Sequence, residues 1–107
     1  MGLVLALALL VSGLHGTVTK GPTTPVCRAG RPCSAPAQVT LLFRRAGHTY
    51  RTRSSATGAY RITLAPGTYS VSTLERIGIA RNIKPRLVHV RRGHDDRLDF
   101  SIDTGIR

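Results

Sequence analysis

The chain has 107 residues, with 16 Lys or Arg against 5 Asp or Glu, for a formal charge of +11. That length holds one domain. From Leu14 onward only 21 of 94 residues are Leu, Ile, Val or Phe, close to the roughly 20% below which a highly charged chain stays unfolded. A thin core is allowed and a two-domain enzyme is excluded, while repulsion among the surplus cations makes a covalent staple useful.

Residues 3–11 form an unbroken apolar run, followed by Ser12 and Gly13. Nine residues suit the apolar region of a secretory signal and fall far short of the roughly 20 that span a bilayer. No basic residue precedes Leu3, which departs from the usual leader. The expected division is a signal peptide over 1–13 and one exported domain over 14–107, with no transmembrane span in the mature chain and a secreted or cell-envelope location. Cys27 and Cys33 follow, enclosing five residues in a stretch rich in Pro and Gly. In an exported chain this spacing predicts a disulfide, contributing about 2 kcal/mol in the chain-entropy model. Zinc thiols usually come closer together and with a second pair, so no metal is expected.

After the leader, apolar residues recur with period two: Val39, Leu41 and Phe43; Tyr60, Ile62 and Leu64; Tyr69 and Val71; Val88 and Val90; Leu98, Phe100 and Ile102. Alternation of this kind, in short runs bounded by Gly, Pro or charged pairs, predicts strands. Seven are expected, over 14–20, 38–45, 47–53, 59–65, 68–74, 85–92 and 97–103. No stretch carries a helical stripe, so the predicted class is all-β, as a seven-stranded Greek-key, immunoglobulin-like sandwich. Pro66-Gly67 fits the centre of a type II turn, which predicts a hairpin of 59–65 with 68–74. Gly93, free to take a left-handed conformation, predicts a second hairpin between the last two strands. The long connections 21–37 and 75–84 are where a binding surface is expected.

The run from Gly58 to Val71 carries Gly58, Tyr60, Leu64, Pro66, Gly67, Tyr69 and Val71 in the pattern G-x-Y-x-x-x-L-x-P-G-x-Y-x-V. It resembles the hallmark of carboxypeptidase regulatory-like domains, which are transthyretin-like sandwiches of the carbohydrate-binding-like group. The resemblance implies that Gly58 turns the chain, Tyr60 and Tyr69 anchor the core, and Pro66 and Gly67 close the hairpin. With the paired cysteines and the closing residues 99–107, the chain looks like small exported proteins of high-GC bacteria that carry this domain alone. It implies no activity. Ring-opening hydrolases of the same fold end in Tyr-Arg-Gly-Ser, which this chain lacks. The internal isopeptide of adhesin sandwiches would need a partner for Lys20 and Glu75, but Asp99 and Asp103 alternate with core residues and are expected to face outward.

No phosphate loop, metal-binding histidine pair or nucleophile elbow is present. Asp95-Asp96 reads as a turn, not as a calcium site. The expectation is therefore a non-enzymatic module with no catalytic residue, metal or cofactor. Charge is the strongest functional signal. Arg44, Arg45, Arg51, Arg53 and Arg61 fall on neighbouring strands, and Arg86, Arg91, Arg92 and Arg97 gather about the last turn. Arg44, Arg45, Arg51, Arg53, Arg91 and Arg92 are the candidate anion-binding residues, for an anionic wall polymer or a membrane surface. Arg outnumbers Lys 14 to 2, as codon supply in a high-GC genome would also produce, so a purely compositional origin stands beside the functional one. The alternative is a carbohydrate- or protein-binding module using the loops 21–37 and 75–84. Nucleic acid is disfavoured, because exposed aromatics do not interleave the arginines.

Overall fold

The computed structural model describes residues 12–21, 34–75 and 82–104. Cys27, Cys33 and most of the expected leader lie outside those residues, as does much of both long loops. The described chain is all β, with no helix. All seven expected strands form: β1 (Gly13–Gly21), β3 (Thr40–Arg45), β4 (His48–Arg53), β5 (Ala59–Thr63), β6 (Gly67–Thr73), β8 (Leu87–Val90) and β10 (Phe100–Asp103). Three short strands join them, β2 (Ala35–Pro36), β7 (Asn82–Lys84) and β9 (Asp95–Arg97), to make ten.

The strands divide between two sheets. The long β1 organises the first. Its first half pairs with β5 antiparallel and with β9 parallel, and its second half with β2 antiparallel and β10 parallel. β7 then pairs with β10. β9 and β10 follow β1 in one register, Leu14 opposite Asp96 and Val18 opposite Phe100. Between them the Thr17 N–H donates at 2.9 Å to the Asp99 carboxylate, and Leu98 N–H donates at 2.8 Å to the His15 carbonyl. The second sheet is antiparallel in the order β4-β3-β6-β8.

One core lies between the layers. Leu14, Val18, Tyr60, Phe100 and Ile102 from the first sheet, and Leu41, Phe43, Tyr69, Val71, Val88 and Val90 from the second, are all at most 5% exposed. Phe43 meets Phe100 edge-on across the layers, ring centres 6.1 Å apart, and Tyr60 packs on Phe100 at 5.4 Å. Burying a large apolar side chain contributes about 1.5–3 kcal/mol, so alternation along each strand supplies the driving force for this arrangement.

Two expected hairpins are not hairpins. β5 pairs with β1 in the first sheet, while β6 pairs with β3 and β8 in the second, so Pro66-Gly67 carries the chain from one layer to the other. The turn at Gly93, with φ 73° as expected, likewise links β8 in the second sheet to β9 in the first. The physical reason is the same in both. A reversal and an alternating face are equally compatible with strands lying side by side or face to face, and here β5 finds five paired residues along β1 whereas β6 finds two neighbours in the other sheet. The true hairpin is β3-β4, whose two-residue loop holds Ala46 at φ 52° and Gly47 at φ 81°, the left-handed pair that matches strand twist.

Residues of the expected leader also take part. Ser12 is 3% exposed; its carbonyl accepts the Leu64 N–H and its hydroxyl accepts the Gly93 N–H, both at 2.9 Å. Gly13 donates its N–H to the His94 carbonyl at 3.0 Å.

Candidate functional site

The hallmark residues are structural. Gly58 has φ 85°, and a Cβ there would stand 2.4 Å from the Val18 carbonyl oxygen, so only glycine fits. Tyr60 and Tyr69 are 5% and 1% exposed, with hydroxyls donating to the Leu98 carbonyl and, at 2.7 Å, to the Ala65 carbonyl. Burial, followed by the charges of Asp99 and Asp95, pushes the Tyr60 phenol up, so it stays a neutral donor. At Gly67 the absent side chain leaves room for the Arg45 guanidinium, whose Cζ sits 2.5 Å from where a Cβ would be and 5.8 Å from the centre of the Tyr69 ring, a cation–π geometry.

The acids sort the arginines. Four of the five lie within residues 95–103, on or beside β9 and β10 of the first sheet. Asp95 pairs with Arg61 at 2.6 Å and with His15 at 3.1 Å. Asp96 holds Arg91 through two hydrogen bonds, 2.7 and 3.0 Å. Asp99 lies 3.4 Å from Arg97. The hydrogen bond from His15, then Arg61, holds the Asp95 carboxyl below the usual range against the opposite pull of burial, and Arg91 does the same first for Asp96. The fifth acid, Glu75, takes Arg53 at 3.1 Å and Thr40. Burial alone would raise its carboxyl, and the Thr40 N–H and hydroxyl together with Arg53 outweigh it.

Of the six candidate arginines, Arg53 and Arg91 are therefore already bound to carboxylates. Arg45 points to the core side of its sheet, over Tyr69. Arg92 is exposed at the turn after β8. Arg44 and Arg51 stand together on the outer face of the four-stranded sheet, both exposed. Register fixes this: Arg44 is opposite Thr49 on β4 and Ser70 on β6, and Arg51 is opposite the outward Leu42. Among the described residues no acid forms an ion pair with Arg44, Arg45, Arg51 or Arg92. A groove of about 410 Å³ runs beside Arg44 at the β3-β4 tip, with Thr49 and Ser70 in its lining. The face thus offers guanidinium forks flanked by hydroxyl donors, an arrangement suited to oxyanions.

What the sequence could not supply was the shared outer face of β3 and β4 and the list of arginines neutralised by acids up to 34 residues away. Ser54 escaped notice altogether. Buried to 1% exposure, its hydroxyl donates to the Ala37 carbonyl at 2.6 Å and accepts the Val39 N–H at 2.8 Å. A serine after Arg-Thr-Arg carries no sequence signal for that clamp. Among the described residues no group of three or more His, Cys, Asp or Glu could hold a metal, and no helix is long and apolar enough to cross a membrane.

No protein-family model and no curated protein matches the chain. Two solved structures are similar in fold, both described as DUF3823 family proteins. The one from Bacteroides ovatus ATCC 8483 has a TM-score of 0.54 at 11% identity, covering 86% of this chain and 44% of that one. The one from Parabacteroides merdae ATCC 43184 has a TM-score of 0.52 at 16% identity, covering 86% and 45%. The chain spans less than half the length of either, and the likeness is one of β-rich fold.

Proposed function

We propose that this protein is a non-enzymatic binding module of the cell envelope or exterior, and that the outer face of its four-stranded sheet adheres to anionic polymers or surfaces. The observation that carries the reading is that Arg44 and Arg51 share a hydroxyl-rich sheet face with no acidic partner among the described residues, while four of the five acids gather along β9 and β10 and the fifth, Glu75, is taken by Arg53.

The reading extends to descent. We take the domain as a seven-stranded Greek-key sandwich of the carboxypeptidase regulatory-like type, elaborated by β2, β7 and β9. Support comes from the hallmark positions, where Gly58 meets β1, Tyr60 and Tyr69 enter the core, and Pro66-Gly67 joins the layers. Export fits the apolar leader and the paired cysteines, with processing ahead of Ser12, since removal of Ser12 would delete a buried residue with two hydrogen bonds.

Retention of the folded protein on purified envelope, washed through a salt series, tests the function. Contacts between exposed charges weaken with ionic strength, so moderate salt should release it, and Arg44→Glu with Arg51→Glu should abolish retention. Lys84→Glu, on β7 of the other sheet, controls for net charge against Arg44→Glu or Arg51→Glu alone, each of which changes the charge by the same two units. Absence of retention at low salt, or equal loss in the control, would overturn the proposal.

A further inference from the structure

Tyr50 faces the core and is nevertheless open to solvent. It pairs with Phe43, which is fully buried, and its ring meets that of Tyr69 edge-on at 6.1 Å and 76°, so it leaves β4 on the core side of the second sheet. Yet it is 42% exposed, because the first sheet does not reach over it at the β3-β4 tip. The chain has three Tyr, two Phe and no Trp, and the other four rings are at most 5% exposed. His48 extends the row, its ring 6.4 Å from that of Tyr50 and tilted by 36°. The aromatic core therefore ends in a single open platform.

A cation is fixed beside it. The Arg45 guanidinium rests on the bare backbone of Gly67, with Cζ, Nε and Nη1 at 2.5, 2.6 and 2.9 Å from where a Cβ would stand, and Cζ lies 5.8 Å from the centre of the Tyr69 ring. Arg45 and Tyr50 thus adjoin the same buried ring, and among the described residues neither side chain has a hydrogen bond or an ion pair. Packing has already restricted the rotamers of Arg45, so an anion that meets it is spared most of that ordering cost. The groove beside Arg44 reaches Arg45 and His48 at the same tip.

A ligand for this place needs a flat apolar face for Tyr50 and an anion with two coplanar oxygens for the guanidinium fork. A pyranose that carries a carboxylate has both: its axial C–H bonds form the flat face, and the carboxylate accepts two guanidinium N–H groups. A nucleotide also combines a ring with a charge, but single strands gain affinity by stacking successive bases on successive rings. Here one Tyr is open, and its neighbours, tilted by 36° and 76°, form no parallel slot for a base. We infer that Tyr50 and Arg45 form a binding site for one hexuronate unit of an acidic polysaccharide, with the sugar ring on Tyr50 and its carboxylate on Arg45. The site uses neither Arg44 nor Arg51, and so goes beyond the adhesive role proposed for the outer face.

Isothermal titration calorimetry with a galacturonate trisaccharide tests the site, beside the neutral galactose trisaccharide and a thymidine trinucleotide. The native protein should bind the uronate, and the neutral sugar should bind about tenfold more weakly for want of an anion. Tyr50→Leu, which leaves the net charge unchanged, should weaken uronate binding about fivefold, whereas Tyr50→Phe should not. Arg45→Gln should weaken it about tenfold, and Arg51→Gln, on the outer face, should leave it unchanged. Tyr50 is exposed, so its variants keep the test open even if Arg45→Gln, which removes the group seated on Gly67, disturbs the fold. Native affinity in Tyr50→Leu would reduce the contact to charge alone and overturn the site. Equal binding of the neutral sugar would overturn the role of Arg45, and tighter, Tyr50-dependent binding of the trinucleotide would overturn the occupant in favour of a base. Absence of uronate binding would remove the site and leave the outer-face role to its own test by Arg44→Glu with Arg51→Glu.

Discussion

Gly58 and Gly47 form a matched pair for testing how the domain is held together. Both are left-handed, at φ 85° and 81°, but a Cβ at Gly47 meets nothing within 4 Å, whereas at Gly58 it stands 2.4 Å from the Val18 carbonyl oxygen on β1. Replacing either by Ala incurs the left-handed penalty of about 1–2 kcal/mol, partly offset by the stiffer unfolded chain, a net of about 1 kcal/mol. At Gly58 the backbone must also withdraw by about an ångström to reach ordinary contact, straining the hydrogen bond from Val18 N–H to the Gly58 carbonyl, now 2.8 Å. Overpacking adds about 1–3 kcal/mol and the weakened bond about 1 kcal/mol. Gly58→Ala should therefore cost about 3–5 kcal/mol against about 1 for Gly47→Ala. Urea unfolding followed by circular dichroism reads this directly: with a slope of about 1–3 kcal/mol per molar, the two midpoints should differ by roughly 1–2 M. Equal midpoints would show that β1 does not press on Gly58 and that the docking of the hallmark turn against the first strand is misplaced.

Ser54→Ala should destabilise the domain by about 1–3 kcal/mol in the same assay, because it leaves the buried Val39 N–H and Ala37 carbonyl short of a partner; a loss below about 0.5 kcal/mol would refute the clamp. Ala46→Asn should raise the unfolding temperature, gaining about 0.5–1 kcal/mol by placing a residue tolerant of positive φ in the β3-β4 loop. Acid should weaken the fold in a defined window. Glu75 and Asp95 have carboxyls depressed in the folded state, so their contribution is complete above the ordinary carboxylate pKa of about 4 and disappears as pH falls through the lower folded values. Urea midpoints should be lower at pH 3 than at pH 5, and the pair Glu75→Gln with Asp95→Asn should flatten that profile; a native profile flat to pH 2.5 would contradict the pairing.

Period-two alternation, with the turn residues bounding each run, placed all seven main strands within a few residues, because which side chains avoid water is a local property of each segment. It also implied the core positions of Phe43, Tyr60, Tyr69 and Phe100; strand 47–53 carries no such alternation, and the shared face of Arg44, Arg51 and Arg53 came only from its register with β3. The partners of the strands were not legible in the same way. Pro66-Gly67 and Gly93 reverse the chain whether the next strand pairs with the previous one or faces it across the core, and the choice depends on which edge β1 and β3 leave free. Acid–arginine pairing was hidden for a related reason: Asp95 meets Arg61, and Glu75 meets Arg53, only once the register of distant strands is set.

The amino-acid sequence by itself determined a small, basic, all-β domain with alternating strands, specific turn residues and more cations than its acids could neutralise. Tertiary structure alone decided that β5 and β6 belong to different layers, that four arginines are held by carboxylates, and that Arg44 and Arg51 are left in line on one face. The division has a physical basis: burial and turn preference act over a few neighbouring residues, whereas sheet membership and charge pairing depend on which segments, far apart in the chain, come within a few ångströms of one another.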